Sequence, residues 1–306
     1  MRFDDLDPSD NTRDLGRGRG GGRGFGGFRG GGGGLGSLIG LLPMLLDRRL
    51  GCGAILLIVV VGYFVMNSGM LQLGGAPSPG VTDNRERASG QTACDTDAEL
   101  FACRVLTSTE QTWGPLFQQQ GSRYREPTLN FYDGSVDQTG CGAADARMGP
   151  FYCPADQGIY LDTSFFQQME SQMRAGGDAA YAYVIAHEVG HHIQYLTGTA
   201  RDVRAQQQRA SQTEGNQLQV RMELQADCYA GVWVARNRDR VEAGDIEEAM
   251  TAANAIGDDT LQRQAQGYVV EDSFTHGSSA QRQRWLRRGM ESGDPASCDT
   301  FAARSL

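Results

Sequence analysis

The sequence predicts an α+β fold: a mostly helical domain with a small β-sheet, preceded by a single transmembrane helix. Three observations carry this. Residues 178–198 and the stretch around 223–234 read as apolar helices. Three short runs, residues 128–132, 149–153 and 157–162, read as strands, the last two as a hairpin turning at Pro154-Ala155-Asp156. Ahead of both, residues 50–81 carry no charged side chain.

Taken in order, residues 1–49 are expected to be a disordered tail. Residues 16–34 are almost wholly glycine and arginine, with Phe25 and Phe28 interspersed. Such a tract buries too little apolar surface to offset its ordering entropy. Arginine and aromatic residues together can stack on RNA, but a flexible basic tail is the commoner use, so no nucleic-acid partner is expected. Residues 35–46 are apolar but broken by Pro43 and glycines, which suits an interfacial segment.

Residues 50–73, with an Ile-, Leu- and Val-rich centre at 54–66, are the predicted transmembrane helix. A bilayer core of ~30 Å needs about 20 such residues. The long upstream tail, and the lack of a small-residue cleavage site near Val65, favour an anchor over a cleaved signal peptide. Arginines 13, 17, 19, 23, 29, 48 and 49 crowd the N-terminal flank, so the positive-inside rule predicts a cytoplasmic N-terminus and an outward-facing C-terminal part. Residues 74–90, with Pro77 and Pro79, read as a linker, and residues 91–306 as the folded domain.

Cysteine usage agrees with export. Cys52 sits at the membrane edge, whereas six others follow it, an even number that suggests disulfides. Short separations favour Cys94–Cys103 and Cys141–Cys153, leaving Cys228–Cys298; the absence of any C-x-x-C spacing argues against a cysteine-zinc site. The net charge of −9 belongs mostly to the part after the basic tail, so that part is not expected to bind nucleic acid or anionic membranes.

The chemistry is concentrated in few residues. Of four histidines, two stand as His187-Glu188-Val189-Gly190-His191. Positions i and i+4 share a helical face, so both imidazoles can reach one metal ion. Glu188, about 100° round the helix, can act on a metal-bound water as a general base without being a ligand. The motif lies in an otherwise apolar helix, for which Asp178 is the expected N-cap and Gly198 the stop. Polar groups there need partners, and a metal supplies them.

A third ligand is sought downstream. Glu223 and Asp227 are again at i and i+4, in an apolar neighbourhood from Ala226 to Val234. Glu223 suits a ligand, and Asp227 suits an acceptor for the second ring N–H of a ligand histidine. Glu214 is the rival ligand, but it lies in a polar, Gln-rich stretch without such a partner at i+4. His276 stands near glycine and serines, as a loop residue or as a hydrogen-bond donor to an oxyanion. His192 points elsewhere on its helix and is read as structural.

Four blocks, H-E-V-G-H-H-I-Q, E-L-Q-A-D-C-Y-A-G-V-W, G-P-F-Y-C-P-A-D-Q-G-I-Y-L-D and T-H-G-S-S-A-Q-R, together resemble the bacterial neutral zinc metallopeptidases of the YpfJ-like family. The resemblance covers about residues 91–300 and an N-terminal anchor. It implies a zincin of the gluzincin class, with Zn2+ held by His187, His191 and Glu223, Glu188 as base and Asp227 behind the ligands. It also favours His276 as oxyanion donor, because T-H-G is similar to a T-H-P segment of membrane-associated gluzincins; Gly277 replaces the proline. Zincins place an edge strand beside the active-site helix, where a peptide can add as a further strand. Residues 149–153 are the candidate, since Pro150 is tolerated on an edge.

The resulting expectation is a zinc endopeptidase anchored by one helix in the bacterial inner membrane, its domain periplasmic, acting on peptides or proteins. The alternative is a non-catalytic envelope binding protein that keeps zinc for stability. A structural zinc site fills all four positions with protein ligands, whereas three ligands beside an intact Glu188 suit catalysis.

Overall fold

The computed structural model describes residues 1–17 and 93–306. Its main sheet holds β1 (Thr12–Arg17), β2 (Thr128–Asp133), β6 (Gly158–Leu161) and β5 (Phe151–Cys153), in that order. β1, β2 and β6 run parallel, with Thr12 opposite Leu129 and Leu129 opposite Ile159. β5 returns antiparallel, Tyr152 opposite Ile159, as the expected hairpin, and forms the edge of the sheet. A hairpin not anticipated from the sequence, β3 (Ser135–Thr139) with β4 (Gly142–Asp145), stands beside it.

β1 corrects one expectation. A tail running from residue 1 fails for its first 17 residues, because these belong to the fold. Phe3 is 2% exposed and stacks on the Trp233 ring. Leu6 is buried, and the Met1 amino group donates to Asp178 at 2.7 Å and Asp245 at 3.0 Å. Burial of Phe3 and Leu6 together with the ladder to β2 offsets the ordering entropy that a Gly/Arg tract cannot. Hydrogen-bonded neighbours in one sheet cannot be divided by a bilayer, so residues 12–17 and 128–133 share one compartment. The rest of the expected tail, the transmembrane helix at 50–73 and the linker at 74–90 lie outside the described residues. Among the described residues no helix is long and apolar enough to cross a membrane.

Eight α-helices follow among the described residues: α1 (Asp97–Gln119), α2 (Ser164–Ser171), α3 (Asp178–Leu196), α4 (Thr199–Gln207), α5 (Gln212–Arg236), α6 (Asp245–Ala255), α7 (Asp258–Gln266) and α8 (Ser279–Ser292). α1, α5 and α8 start with capping boxes at Thr96, Ser211 and Ser278, each satisfying orphan N–H groups reciprocally. α3 does not start as expected. Gly177 is its N-cap, and Asp178 is its first residue, drawn away toward the Met1 amino group.

Helix packing then positions the site. α3 and α5 approach at Gly190, where a Cβ would come within 2.9 Å of the Ala226 backbone. The glycine inside the H-E-x-x-H segment is therefore what lets α5 bring its carboxylates to the histidines. α5 meets α8 in the same way: a Cβ on Gly231 would strike the Leu286 carbonyl, and one on Gly289 the Cys228 carbonyl. The six cysteines after Cys52 pair as Cys94–Cys103, Cys141–Cys153 and Cys228–Cys298. The second ties the β3–β4 turn to β5, and the third ties α5 to the C-terminal segment.

Candidate metal centre

α3 and α5 bring His187, His191 and Glu223 together. The Nε2 atom of His187 lies 3.2 Å from Oε2 of Glu223, and that of His191 lies 3.5 Å from the same oxygen. One donor atom from each of the three residues lies within 4.8 Å of the others. Each imidazole is fixed from behind. Nδ1 of His187 faces Asp227 Oδ1 at 2.8 Å, and Nδ1 of His191 faces Gln194 Oε1 at 2.9 Å. Both partners can only accept, so each Nδ1 carries a proton and each ring turns its Nε2 toward Glu223. A proton on each Nε2, or a metal ion in its place, supplies the positive charge that the Glu223 oxygen faces.

The electrostatics agree. Burial opposes charge on His187, but Asp227 outweighs it and lifts the ring to about 9. Burial pushes the Glu223 carboxyl up, yet His191 and His187 hold it well below the usual carboxylate range. The centre keeps its carboxylate ionised and calls for a cation. Donors about 2.1 Å from one tetrahedral zinc would be roughly 3.4 Å apart, close to the spacings seen here.

Behind the ligands stands a group that sequence reasoning missed. Arg282 of α8, 2% exposed, donates to Asp227 through Nε at 3.0 Å and Nη2 at 2.9 Å. Tyr183, one turn before His187, donates to the same carboxylate at 2.6 Å. Burial would raise the Asp227 carboxyl, but Arg282 and His187 bring it down to about 2. A buried carboxylate with a bidentate arginine and a tyrosine is a firm acceptor for His187. Tyr183 lies at i−4 from His187 and was within view of a spacing argument, whereas Arg282, though it closes the T-H-G-S-S-A-Q-R block, has no local spacing to Asp227.

The centre opens on a cleft of about 800 Å³ whose lining includes Glu188, His276 and the β5 residues Phe151 and Tyr152. Glu188 is 7% exposed there. His276 reaches the cleft from the loop before α8. Its Nδ1 lies 3.2 Å from Asp258 Oδ1 and 3.1 Å from its neighbour's hydroxyl, Thr275 Oγ1. The Asp258 carboxylate also accepts the backbone N–H groups of Thr275, His276 and Gly277. The hydrogen bond that the ring donates to Asp258 raises His276 above its ordinary value, with burial opposing.

The remaining candidates are placed as well. Glu214 is the capping-box carboxylate of α5, accepting from the Ser211 N–H at 2.9 Å, and is not among the clustered donors. His192 is buried; its Nε2 donates to the Arg125 carbonyl and its Nδ1 accepts from Tyr152 at 2.9 Å. Burial pushes its ring down to about 4, so it is neutral and pins β5 to α3. The sequence predicted the edge strand at 149–153, and β5 holds Phe151–Cys153 along the cleft.

Residues 1–301 match the family described as "Putative neutral zinc metallopeptidase". Among curated proteins, the chain is 49% identical over 253 residues to "Uncharacterized protein YpfJ" of Escherichia coli (strain K12), covering 81% of this chain and 86% of that protein. It is 40% identical over 255 residues to "Uncharacterized protein Mb2605" of Mycobacterium bovis (strain ATCC BAA-935 / AF2122/97), covering 76% and 84%. No solved structure matches significantly.

Proposed function

Because this chain belongs to the neutral zinc metallopeptidase family, we propose that it is a zinc-dependent endopeptidase that hydrolyses peptide bonds in the cleft beside β5. The observation that carries this is the three-donor set of His187, His191 and Glu223, whose open side faces a cleft lined by Glu188 and His276. A purely structural zinc closes its shell with four protein ligands. Among the described residues this cluster offers three, which speaks against the non-catalytic alternative.

Bound zinc would supply Lewis-acid polarisation of the scissile carbonyl and of a water. The chain's own residues supply the rest. Glu188 takes the proton of the attacking water and passes it to the leaving amine. His276, protonated on both ring nitrogens and with Nδ1–H held by Asp258, presents Nε2–H as donor to the oxyanion. The open edge of β5 takes the peptide as an added strand, with backbone hydrogen bonds fixing its register. Arg282 and Tyr183 keep Asp227 ionised and fixed, so that His187 holds its tautomer.

The three disulfides support a location outside the cytoplasm, where such bonds persist. The pairing of β1 with β2 carries residues 1–17 to the same side. The activity is tested by loading the purified protein with one equivalent of zinc and following cleavage of an unstructured protein substrate. Cleavage that a chelator abolishes and zinc restores supports the reading; a zinc-loaded protein that cleaves nothing favours a binding role.

A further inference from the structure

The two ligand histidines are held in different ways. His187 is backed by the charged Asp227–Arg282 pair, whereas His191 is backed by neutral amides. Gln194, three residues on in α3 and fully buried, accepts the His191 Nδ1–H through Oε1 at 2.9 Å. Its Nε2 donates to the Met222 carbonyl at 2.7 Å and to Gln225 Oε1 at 3.1 Å. Gln225, two residues past Glu223 on α5 and 6% exposed, donates through Nε2 to the Cys298 carbonyl at 3.0 Å.

A glutamine amide can face either way, and here two backbone carbonyls decide. The Met222 carbonyl accepts only, so it must face the Gln194 amine, which turns Oε1 toward His191. The Cys298 carbonyl likewise turns the Gln225 amine outward and its Oε1 toward Gln194. The chain His191–Gln194–Gln225–Cys298 thus has one polarity that leaves no member unsatisfied. Its far end is fixed by the Cys228–Cys298 disulfide, which returns to the residue after Asp227.

We infer that Gln194 and Gln225 are positioning residues that hold His191 as the Nδ1–H tautomer with Nε2 free for the metal. This deepens the zinc reading above and rests on it. A charged acceptor at His191 would add a further carboxylate to a buried region that already holds Glu223 and Asp227. A polarised amide pair fixes the same tautomer without that charge.

The test measures zinc affinity by chelator competition in the otherwise intact protein, alongside the visible bands of Co2+ bound in place of zinc. Gln194→Met removes the acceptor at nearly constant volume and should weaken zinc binding about 10- to 100-fold, as loss of such partners of a ligand histidine does. Gln225→Met leaves the contacts of Gln194 to His191 and to the Met222 carbonyl but removes the second acceptor that holds its amide in place. It should weaken zinc in the same direction by less, with a shifted cobalt band. If both variants bind zinc and cobalt like the wild type while their metal-free unfolding midpoints fall, the amides are packing groups and the inference is overturned. Should Gln194→Met fail to fold, Gln225→Met decides by the same titration. A wild type that takes up no zinc overturns the peptidase reading and this inference together; zinc-binding wild type beside unaffected variants overturns the inference alone.

Discussion

Nδ1 of His187 lies 2.8 Å from Oδ1 of Asp227, and the same carboxylate receives two N–H groups of Arg282. Three helices, α3, α5 and α8, therefore meet on one fully buried carboxylate. Removing the arginine should be costly, because it leaves an uncompensated charge in the interior. Arg282→Met should lower the stability of the metal-free protein by about 3–5 kcal/mol in urea unfolding, and Asp227→Leu in the same chain should recover part of that. Zinc affinity should not recover in the double variant, because His187 has then lost its acceptor. Recovery of both would mean that the trio serves stability alone.

The ligand set makes a sharper distinction. His187→Ala and Glu223→Ala should each strip zinc at concentrations where the wild type holds close to one equivalent, since each removes one of three clustered donors. Glu214→Ala should keep its zinc and lose only its half of the capping box, with a small fall in the unfolding midpoint. Metal analysis of the three purified variants checks this, and loss of zinc from the Glu214 variant alone would reverse the assignment.

His276 gives a pH dependence of defined sign. Its ring is raised by Asp258, so the stabilisation from their pairing is present below the ordinary histidine value of about 6.5 and fades as pH rises through the raised value. The ring titration followed by NMR should fall toward the ordinary value in Asp258→Asn. In peptide hydrolysis, His276→Phe should reduce kcat by about 10²–10³ with little change in zinc content, the scale of losing one oxyanion donor. An unchanged kcat would remove His276 from the chemistry.

How much of this was legible in the sequence follows from the range of each contact. His187, Glu188 and His191 lie within five residues, and helix geometry alone gives their relation. Glu223 and Asp227 repeat the i and i+4 spacing on a second helix, so they too could be read. Arg282 is 55 residues from Asp227 in sequence and meets it only because Gly231 and Gly289 let α5 and α8 touch backbone to backbone. β1 was illegible for a related reason. Thr12-Arg13-Asp14-Leu15-Gly16-Arg17 has little strand character of its own and merges into the glycine and arginine tract. Its partner, β2, is more than 110 residues away. Even the start of α3 moved by one residue, because Asp178 is claimed by a contact from the other end of the chain.

That N-terminal contact can be tested through compartment and stability together. A reporter near residue 10 and one near residue 300 should show the same protection from protease in intact cells, since both belong to one folded unit. Thiol labelling of denatured, unreduced protein from those cells should find Cys52 alone free, the other six being paired. Deleting residues 1–17 should lower the unfolding midpoint, because β2 loses a neighbour and the buried Phe3 and Leu6 leave a gap. Opposite protection of the two reporters would contradict the sheet.

The central claim is that the cluster at α3 and α5 is a catalytic zinc centre and Glu188 its base. Glu188→Gln keeps the side chain's shape and removes its ability to accept the proton. Zinc content and peptide hydrolysis should be measured on the same preparations of wild type and variant. Zinc content should be equal, and the hydrolysis rate of the variant lower by about 10²–10⁴-fold. Equal zinc with equal turnover would contradict it.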